Sequence, residues 1–454
     1  MNFRELPGFP PFFLDWVEGV SRATSFLSGR PDLETAATRA AELQKRHKSS
    51  PTALESALVF PNPGTAVVLA HARAAVAGGP LSVLLKCLTA CRVAAALSSR
   101  GTLALPVCCV DSRSPGLAET ESAWVLDFDA RMREIFAADA GALSGDGFVE
   151  IIEQTAPGRQ STESLEFLRT NYGGQTLSSA SCRFLSALAR EFGLMVIDAE
   201  EPRFESVVAE KLKSVAADHP TVADVSTRRE ELRRAGYNLP DHESETAVLK
   251  AASQGLLLPV AVQVCDPAEL GFRALIEPLF SRAGLPAPVA WPRASMTLLD
   301  PRSRKFLSRH RLGLNDLFAD RDELLRRVLN EPARESALER FDVLETSIPE
   351  RLAGFLELVQ PDDYLREAVE ASRGKMLYQV GKLKERFQMS AEARREAEQR
   401  QLERARNTLA PSGQLQENIL SSIHFLLRNT PALVRFLYEN LEFTKLEHQT
   451  LSVD

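Results

Sequence analysis

The sequence predicts an α/β protein with a parallel sheet, extended by a long α-helical coiled coil. Two observations carry this reading. Over residues 1–300, short apolar runs alternate with stretches of helical periodicity, the pattern of a sheet covered by helices on both faces. From about Pro301 strand signals vanish, Glu, Arg, Leu and Ala dominate, and apolar residues fall at a and d spacing. The expected division is a core over 1–300, a helical coiled-coil arm over 301–410, and a C-terminal helix over 411–454 that returns to the core.

Residues 64–129 organise the core. Thr65 to Ala70 reads as a strand buried on both faces. A small-residue turn, His71 through Ala77, ends in Gly78-Gly79-Pro80, and Pro80 suits the first position of a helix. Leu81, Leu84, Leu85, Leu88, Cys91 and Ala95 recur at helical spacing, and Gly101 stands at the stop. Runs at 103–110 and 124–128 read as the second and third strands. A strand–helix–strand unit predicts parallel pairing and a right-handed crossover. Ligands bind such units beyond the carboxyl ends of their strands, so the candidate mouth is 71–79 together with 111–119.

Upstream, the prolines of Leu6-Pro7-Gly8-Phe9-Pro10-Pro11 forbid regular helix, and helical patterning starts near Asp32. Downstream, 148–152 fits a strand, while 161–172 and 177–192 are helical. A buried strand, 194–198, ends in Asp198; 203–236 returns to helical spacing, and 256–264 is a strong strand. A helix over 267–282 and a strand over 288–291 then deliver Pro292-Arg293-Ala294-Ser295.

In the arm, Leu338, Phe341, Ile348, Leu352 and Phe355 form one stripe. Leu365, Val369, Met376, Val380, Leu383 and Phe387 form a second. Two antiparallel helices sharing a seam would bury both. Residues 390–406 are almost wholly polar and read as a solvated helix tip or a mobile link. A helix of about 40 residues reaches about 60 Å, and an arm of that kind predicts a homodimer. Pro411-Ser412-Gly413 breaks the helix, and 415–441 reads as a final apolar helix.

Composition narrows the partners. At 454 residues with 44% hydrophobic and 25% charged residues, the chain has an ample globular core. A net charge of -7 supplies no basic footprint for nucleic acid. The opening Met1 to Pro7 lacks the pattern of a secretory signal, and no apolar stretch approaches the roughly 20 residues of a membrane span. The expected compartment is the cytoplasm. Cys87, Cys91, Cys108, Cys109, Cys182 and Cys265 fit it as reduced core residues, and no metal site is expected because no His stands at zinc spacing.

Several polar residues fall at or near the predicted mouth, each with two readings. His71 and Arg73, in the turn that runs to Gly79, suit a phosphate or carboxylate, or an ordinary surface turn. Lys86 either reaches back to a ligand or snorkels to solvent. Asp111, Ser112, Arg113 and Glu119 follow a strand end, where ligand contact and turn formation explain them equally. Asp198 orients a ribose or amine, or caps the next helix. Arg293 and Ser295 follow a proline-fixed strand end, where Arg293 grips a carboxylate or pairs with a neighbouring acid. His310 and His424 sit on helical stripes and read as packing or surface residues. No Gly-x-Ser-x-Gly or supported nucleophilic cysteine occurs.

An ordered series of short motifs resembles the cysteine ligase family of bacillithiol biosynthesis along nearly the whole chain. It runs from Leu6-Pro7-Gly8 and Asp15 through Gly78-Gly79-Pro80-Leu81, Lys86, Pro106-Val107, Glu119 and Asp127. It continues through Phe192-Gly193-Leu194, Asp198, Pro267-Ala268-Glu269, Pro292-Arg293-Ala294-Ser295, Thr297 and the coiled coil around 375–383 to Pro411-Ser412-Gly413-Gln414-Leu415-Gln416-Glu417. The resemblance implies a Rossmann-like core with inserted connecting segments and a coiled coil that makes a homodimer. It implies addition of cysteine to glucosaminyl-malate, with Arg293 a candidate for the malate carboxylates. The family's distant similarity to nucleotide-using ligases makes ATP activation an expectation.

Two loops depart from the family pattern. The family usually carries Gly-Gln-Gln where this chain has His71-Ala72-Arg73, and Glu-Asp-His-Asp where it has Arg113-Ser114-Pro115-Gly116. Two alternatives to the ligase therefore stay open: a catalytically degenerate homodimeric interaction protein of the same fold, and a nucleotidyltransferase of another substrate class.

Overall fold

A computed structural model of the protein describes residues 1–29, 31–49, 65–111, 122–139, 141–156, 160–199, 201–217, 219–239, 257–329, 331–358 and 362–453. Its strands in chain order are β1 (Ala66–Arg73), β2 (Ala104–Asp111), β3 (Ser122–Leu126), β4 (Met132–Phe136), β5 (Met195–Asp198), β6 (Val260–Cys265), β7 (Val289–Pro292), β8 (Ser295–Leu299) and β9 (His448–Ser452). Five of them form one parallel sheet in the order β5-β2-β1-β6-β7. The chain steps outward from β1 through β2 to β5, then returns past β1 to lay down β6 and β7. That is the Rossmann-like arrangement, and its direction reverses between β1 and β6, where such sheets open a crevice at their carboxyl ends.

Both faces of the sheet are covered, which is why its strands are continuous apolar runs rather than alternating ones. On one face Ala66, Val68 and Ala70 pack with Ala90, Val93 and Leu97 of helix α1 (Leu81–Ser99). On the other, Val67 and Leu69 pack with Ile197, Phe204 and Val208. Helix α1 is, contrary to the sequence reading, long and apolar enough to cross a membrane by length and composition alone, but 72% of it is buried inside the fold. It is the crossover helix of the core, and its all-round apolarity comes from being packed on several sides.

Strands β3 and β4 pair antiparallel with each other, apart from the main sheet. The third apolar run therefore does not extend the central unit, as expected, but turns back through a loop held by Asp127. The Asp127 carboxylate accepts from the amides of Asp129 and Arg131 and pairs with Arg133 at 2.8 Å. Residues 148–152 are helix rather than strand, within Gly145–Thr155. Phe148, Val149 and Ile152 recur on one buried face, and Ser144 caps the start by accepting from the Gly147 amide.

The C-terminal segment differs most from expectation. In place of one helix over 415–441 there are three, Gln416–Ile419, Ser422–Arg428 and Ala432–Asn440, and then β9, parallel to β8. Leu420, Ile423, Leu426, Leu433 and Leu437 anchor these short pieces in a core shared with Leu81, Leu84, Leu85 and Phe184.

The chain divides into two compact units, Met1–Pro301 with Asn407–Asp454, and Arg302–Arg406. In the second, α2 (Glu331–Leu358) and α3 (Asp363–Leu409) run antiparallel. Phe341 meets Phe387 at 5.7 Å between ring centroids, and Lys384 pairs with Asp342 and Glu345. Val369, Val380 and Phe387 are half-buried as expected, but Leu365, Met376 and Leu383 are exposed. The polar run 390–406 is neither a solvated tip nor a link. Leu402, Ala405 and Glu398 are buried, Glu398 lies 3.1 Å from His310 Nε2, and Arg321 pairs with Glu403.

Candidate functional site

The carboxyl edge of the sheet carries charges of both signs. β5 ends at Asp198, β2 at Asp111 and β1 at Arg73, while Asp266 follows β6 and Arg293 follows β7. Arg73 is the register partner of Asp111, so it lies beside the strand end that leads into Ser112. Ser112 and Glu119, with the departing loop Arg113-Ser114-Pro115-Gly116, lie outside the described residues.

The expected turn begins later than its sequence suggested, because His71, Ala72 and Arg73 are the last residues of β1. Strand pairing with Cys109, Val110 and Asp111 holds them extended, and His71 and Arg73 are half-buried. The His71 ring lies beside Gln263 of β6, with Nδ1 3.5 Å from Gln263 Nε2.

Lys86 neither snorkels nor stands open to a ligand. It is 2% exposed, and its ammonium donates to the His71 carbonyl at 2.7 Å and to Asp266 Oδ2 at 2.6 Å, with Glu269 Oε2 also at 2.6 Å. Asp266 and Glu269 belong to the N-terminus of helix α4 (Pro267–Arg282), where they form a reciprocal capping box. The cap fixes both carboxylates over the end of β6, at the reversal point of the sheet.

Burial alone would lower the Lys86 ammonium, but Asp266 and Glu269 outweigh it and the group is held charged. Burial would raise the Asp266 carboxyl, yet Lys86 and Arg293 hold it at about 2. Glu269 goes the other way: burial raises it and the Asp266 charge adds to that, with Lys86 offsetting only part. Two acids three residues apart thus take opposite shifts.

Arg293 resolves in favour of a neighbouring acid. It is buried; Nε donates to Asp266 Oδ1, Nη1 to Glu417 Oε1 at 2.9 Å and to the Ala294 carbonyl, and Nη2 to Asn418 Oδ1. With four of its five donors committed, it is not poised to fork onto a substrate carboxylate. Ser295 is also internal. Its hydroxyl donates to Glu417 Oε1 at 2.7 Å and meets His448 Nδ1 at 2.7 Å, while His448 Nε2 lies 2.8 Å from Thr297 Oγ1. Since the Ser295 proton goes to the carboxylate, Nδ1 must carry the imidazole hydrogen and Nε2 must accept from Thr297. Burial pushes His448 down to about 4, which keeps the ring neutral.

Asp198 accepts from Ser178 Oγ at 2.6 Å at the end of β5. Gly79 is a backbone requirement: at φ 82° and ψ −167° it occupies a region open almost only to glycine. Around it the amides of Ala77, Gly78, Gly79 and Leu81 donate to Tyr172 Oη and to the carbonyls of Ala75, Val76 and Leu420. These amides serve the fold and form no open phosphate cradle. His424 is buried, accepting at Nδ1 from the Leu126 amide, in line with a packing role.

The structure therefore gathers His71, Lys86 and Arg293 around Asp266 and Glu269, continues through Glu417 to Ser295, and sets Arg73 and Asp198 farther along the same edge. Asp266, Gln263, Glu417 and His448 were not singled out as site residues. The first had a local signal, Asp-Pro-Ala-Glu directly after an apolar strand, which is a capping box at a strand's carboxyl end. The bonds of Glu417 and His448 span more than a hundred residues and had none.

Comparison with known proteins agrees with this architecture. The family model described as "Bacillithiol biosynthesis BshC, C-terminal coiled-coil domain" matches residues 296–453. A Koribacter versatilis protein provisionally named cysteine ligase BshC is 24% identical over 97% of this chain and 94% of its own length. One from Solibacter usitatus with the same name is 24% identical over 86% of this chain and 85% of its own. A third, from Symbiobacterium thermophilum, is 30% identical over 48% of this chain and 39% of its own. With similarity spanning both the sheet and the arm, these matches support a member of the BshC family.

Proposed function

We propose that this protein is a cysteine ligase that joins cysteine to glucosaminyl-malate, the last step of bacillithiol biosynthesis. The observation that carries the reading is the similarity to the Koribacter protein across 94% of that protein's length. The carboxyl edge supports it chemically. Amide formation needs an amine stripped of its proton and an activated carboxyl held near it, which is a task of positioning and electrostatics. The Asp266–Glu269 pair suits an amine. Arg73, half-buried at the end of β1, is the cation on this edge we assign to the malate carboxylates, in place of Arg293. ATP is the proposed activator of the cysteine carboxyl, with its phosphates held elsewhere than the Gly78-Gly79 turn, whose amides are engaged.

We further infer a homodimer through the arm, supported by the apolar side chains that α2 and α3 leave exposed, Leu344, Phe355, Leu358, Met376 and Leu383 among them. The proposed compartment is the cytoplasm.

The test is to incubate the purified protein with glucosaminyl-malate, cysteine and ATP and to follow the thiol product by mass spectrometry, with ATP omitted in a parallel arm. A preparation with a cooperative melting transition that yields no product under any condition would refute the ligase reading. Product without ATP would remove only the nucleotide.

A further inference from the structure

An amine near neutral pH is an ammonium with no lone pair to offer, so the proposed ligation needs a group at the sheet edge that takes its proton. Asp266 is committed on both oxygens, Oδ1 to Arg293 and Oδ2 to Lys86. Glu417 is 0% exposed, and Asp198 is bonded to Ser178. Glu269 is different. Its Oε2 holds the Lys86 ammonium and accepts from the Asp266 amide at 2.8 Å, while its Oε1 accepts no hydrogen bond among the described residues. Its side chain is 34% exposed, and the capping box fixes it over the reversal point between β1 and β6.

We infer that Glu269 is the proton acceptor for the attacking amine, and that Asp266 stays ionised as the anchor of Lys86 and Arg293. The inference rests on the ligase reading and assigns a role within it. Charge balance favours it: two buried cations, Lys86 and Arg293, face three carboxylates, Asp266, Glu269 and Glu417, so one proton taken up by Glu269 makes the cluster neutral. Lys86 keeps Asp266 and the His71 carbonyl when that happens. The opposite shifts of the two neighbouring acids follow the pattern by which one carboxyl stays a fixed charge while its neighbour exchanges protons.

In the step itself the ammonium proton passes to Glu269 and the freed lone pair forms the C–N bond to the cysteine carboxyl carbon. That carbon is carried as a mixed anhydride with phosphate; its C–O bond to phosphate breaks, the phosphate leaves with the electron pair, and the new amide nitrogen releases its remaining extra proton to water.

The test compares wild type, E269Q and E269D in pH–rate profiles of thiol product formation, and repeats each with hydroxylamine in place of the amino sugar. Hydroxylamine is largely neutral near pH 7 and needs no base. E269Q is expected to lose about 100-fold in kcat, within the usual range for a general base, with KM for the amino sugar little changed and the remaining rate rising with pH as the amine itself loses its proton. E269D recovers part of the rate, and hydroxamate forms at the wild-type rate in all three. The assignment is overturned if E269Q keeps the wild-type rate and pH profile, or if product and hydroxamate fall together in a variant that melts like wild type. Should E269Q fail to fold, the same ratio of the two nucleophiles in E269D decides. A wild type that makes no thiol product sinks the ligase reading itself, which is a different result from a productive enzyme indifferent to Glu269.

Discussion

Arg293 Nη1 lies 2.9 Å from Glu417 Oε1, a buried ion pair between residues 124 apart in the chain. It ties the end of β7 to the segment just after the coiled-coil arm, and through Ser295 the same carboxylate is tied to β9. Removing one partner leaves a charge in a site that water does not reach, and such losses cost about 3–5 kcal/mol. R293M, which strands the Glu417 carboxylate, is expected to destabilise by that order in urea unfolding, whereas E417Q leaves Arg293 paired with Asp266 and should cost less. The double variant R293M/E417M should lose less than the sum of R293M and E417M, because neither charge is then stranded. Additive losses would mean that the pair is not coupled.

Gly79 offers a test of the turn. A Cβ there would lie 3.2 Å from Ala75 Cβ and 3.4 Å from Val83 Cγ2, on a backbone at φ +82°. The Gly79 carbonyl also accepts from Ser421 Oγ and the Ser422 amide, so a shift would be felt in the C-terminal segment. G79A is expected to cost about 1–3 kcal/mol. Gly101, at φ +84° with nothing within 4 Å of the place a methyl group would take, is the comparison: G101A carries backbone strain alone and should lower the melting temperature less.

Strands β1, β2, β6 and β7 were legible because each is an apolar run buried on both faces over most of its length, a signal that needs no partner to be read. The helix at 145–155 was misjudged for a related reason: Phe148-Val149-Glu150-Ile151-Ile152 is dense enough in apolar residues to hide its period. β9 was missed because His448-Gln449-Thr450-Leu451-Ser452 has little apolar content, and it pairs only because β8 presents a free edge to it. At the site the positions of Lys86 and Arg293 were legible but their partners were not. Asp266, Glu269 and Glu417 come to them from distant parts of the chain, and only the fold shows that both cations are internally neutralised.

His448 makes a prediction in pH. Its buried ring is neutral, with a folded pKa of about 4, against about 6.5 for an exposed histidine. The unfolded chain therefore binds more protons between these values, and stability rises with pH across that window. The contribution is fully present above about pH 6.5 and is lost as pH falls through about 4; at full size it is of order 3 kcal/mol. His424, also lowered by burial and by Arg428, acts in the same direction, whereas Glu269, raised by burial, opposes both in the acid range. Urea unfolding at pH 7 and pH 5 should show wild type losing stability on acidification and H448Q losing measurably less. An unchanged difference between the two pH values would place the titration elsewhere.

The arm predicts its own assembly. Leu365, Met376 and Leu383 are separated by eleven and seven residues, close to whole numbers of helical turns, so they share one face of α3. Leu344 and Phe355 share a face of α2 by the same spacing. The antiparallel register set by Phe341 with Phe387, and by Lys384 with Asp342 and Glu345, brings Leu344 level with Leu383. Leu344 is 46% and Leu383 59% exposed, an apolar strip that pairing of two arms would cover. Wild type is expected to sediment as a dimer, and the double variant L344E/L383E as a monomer with an unchanged melting transition for the core. Deleting residues 331–406 should give the same monomer. If the deletion still ran as a dimer, the copies would be joined through another surface and the strip would need a different occupant.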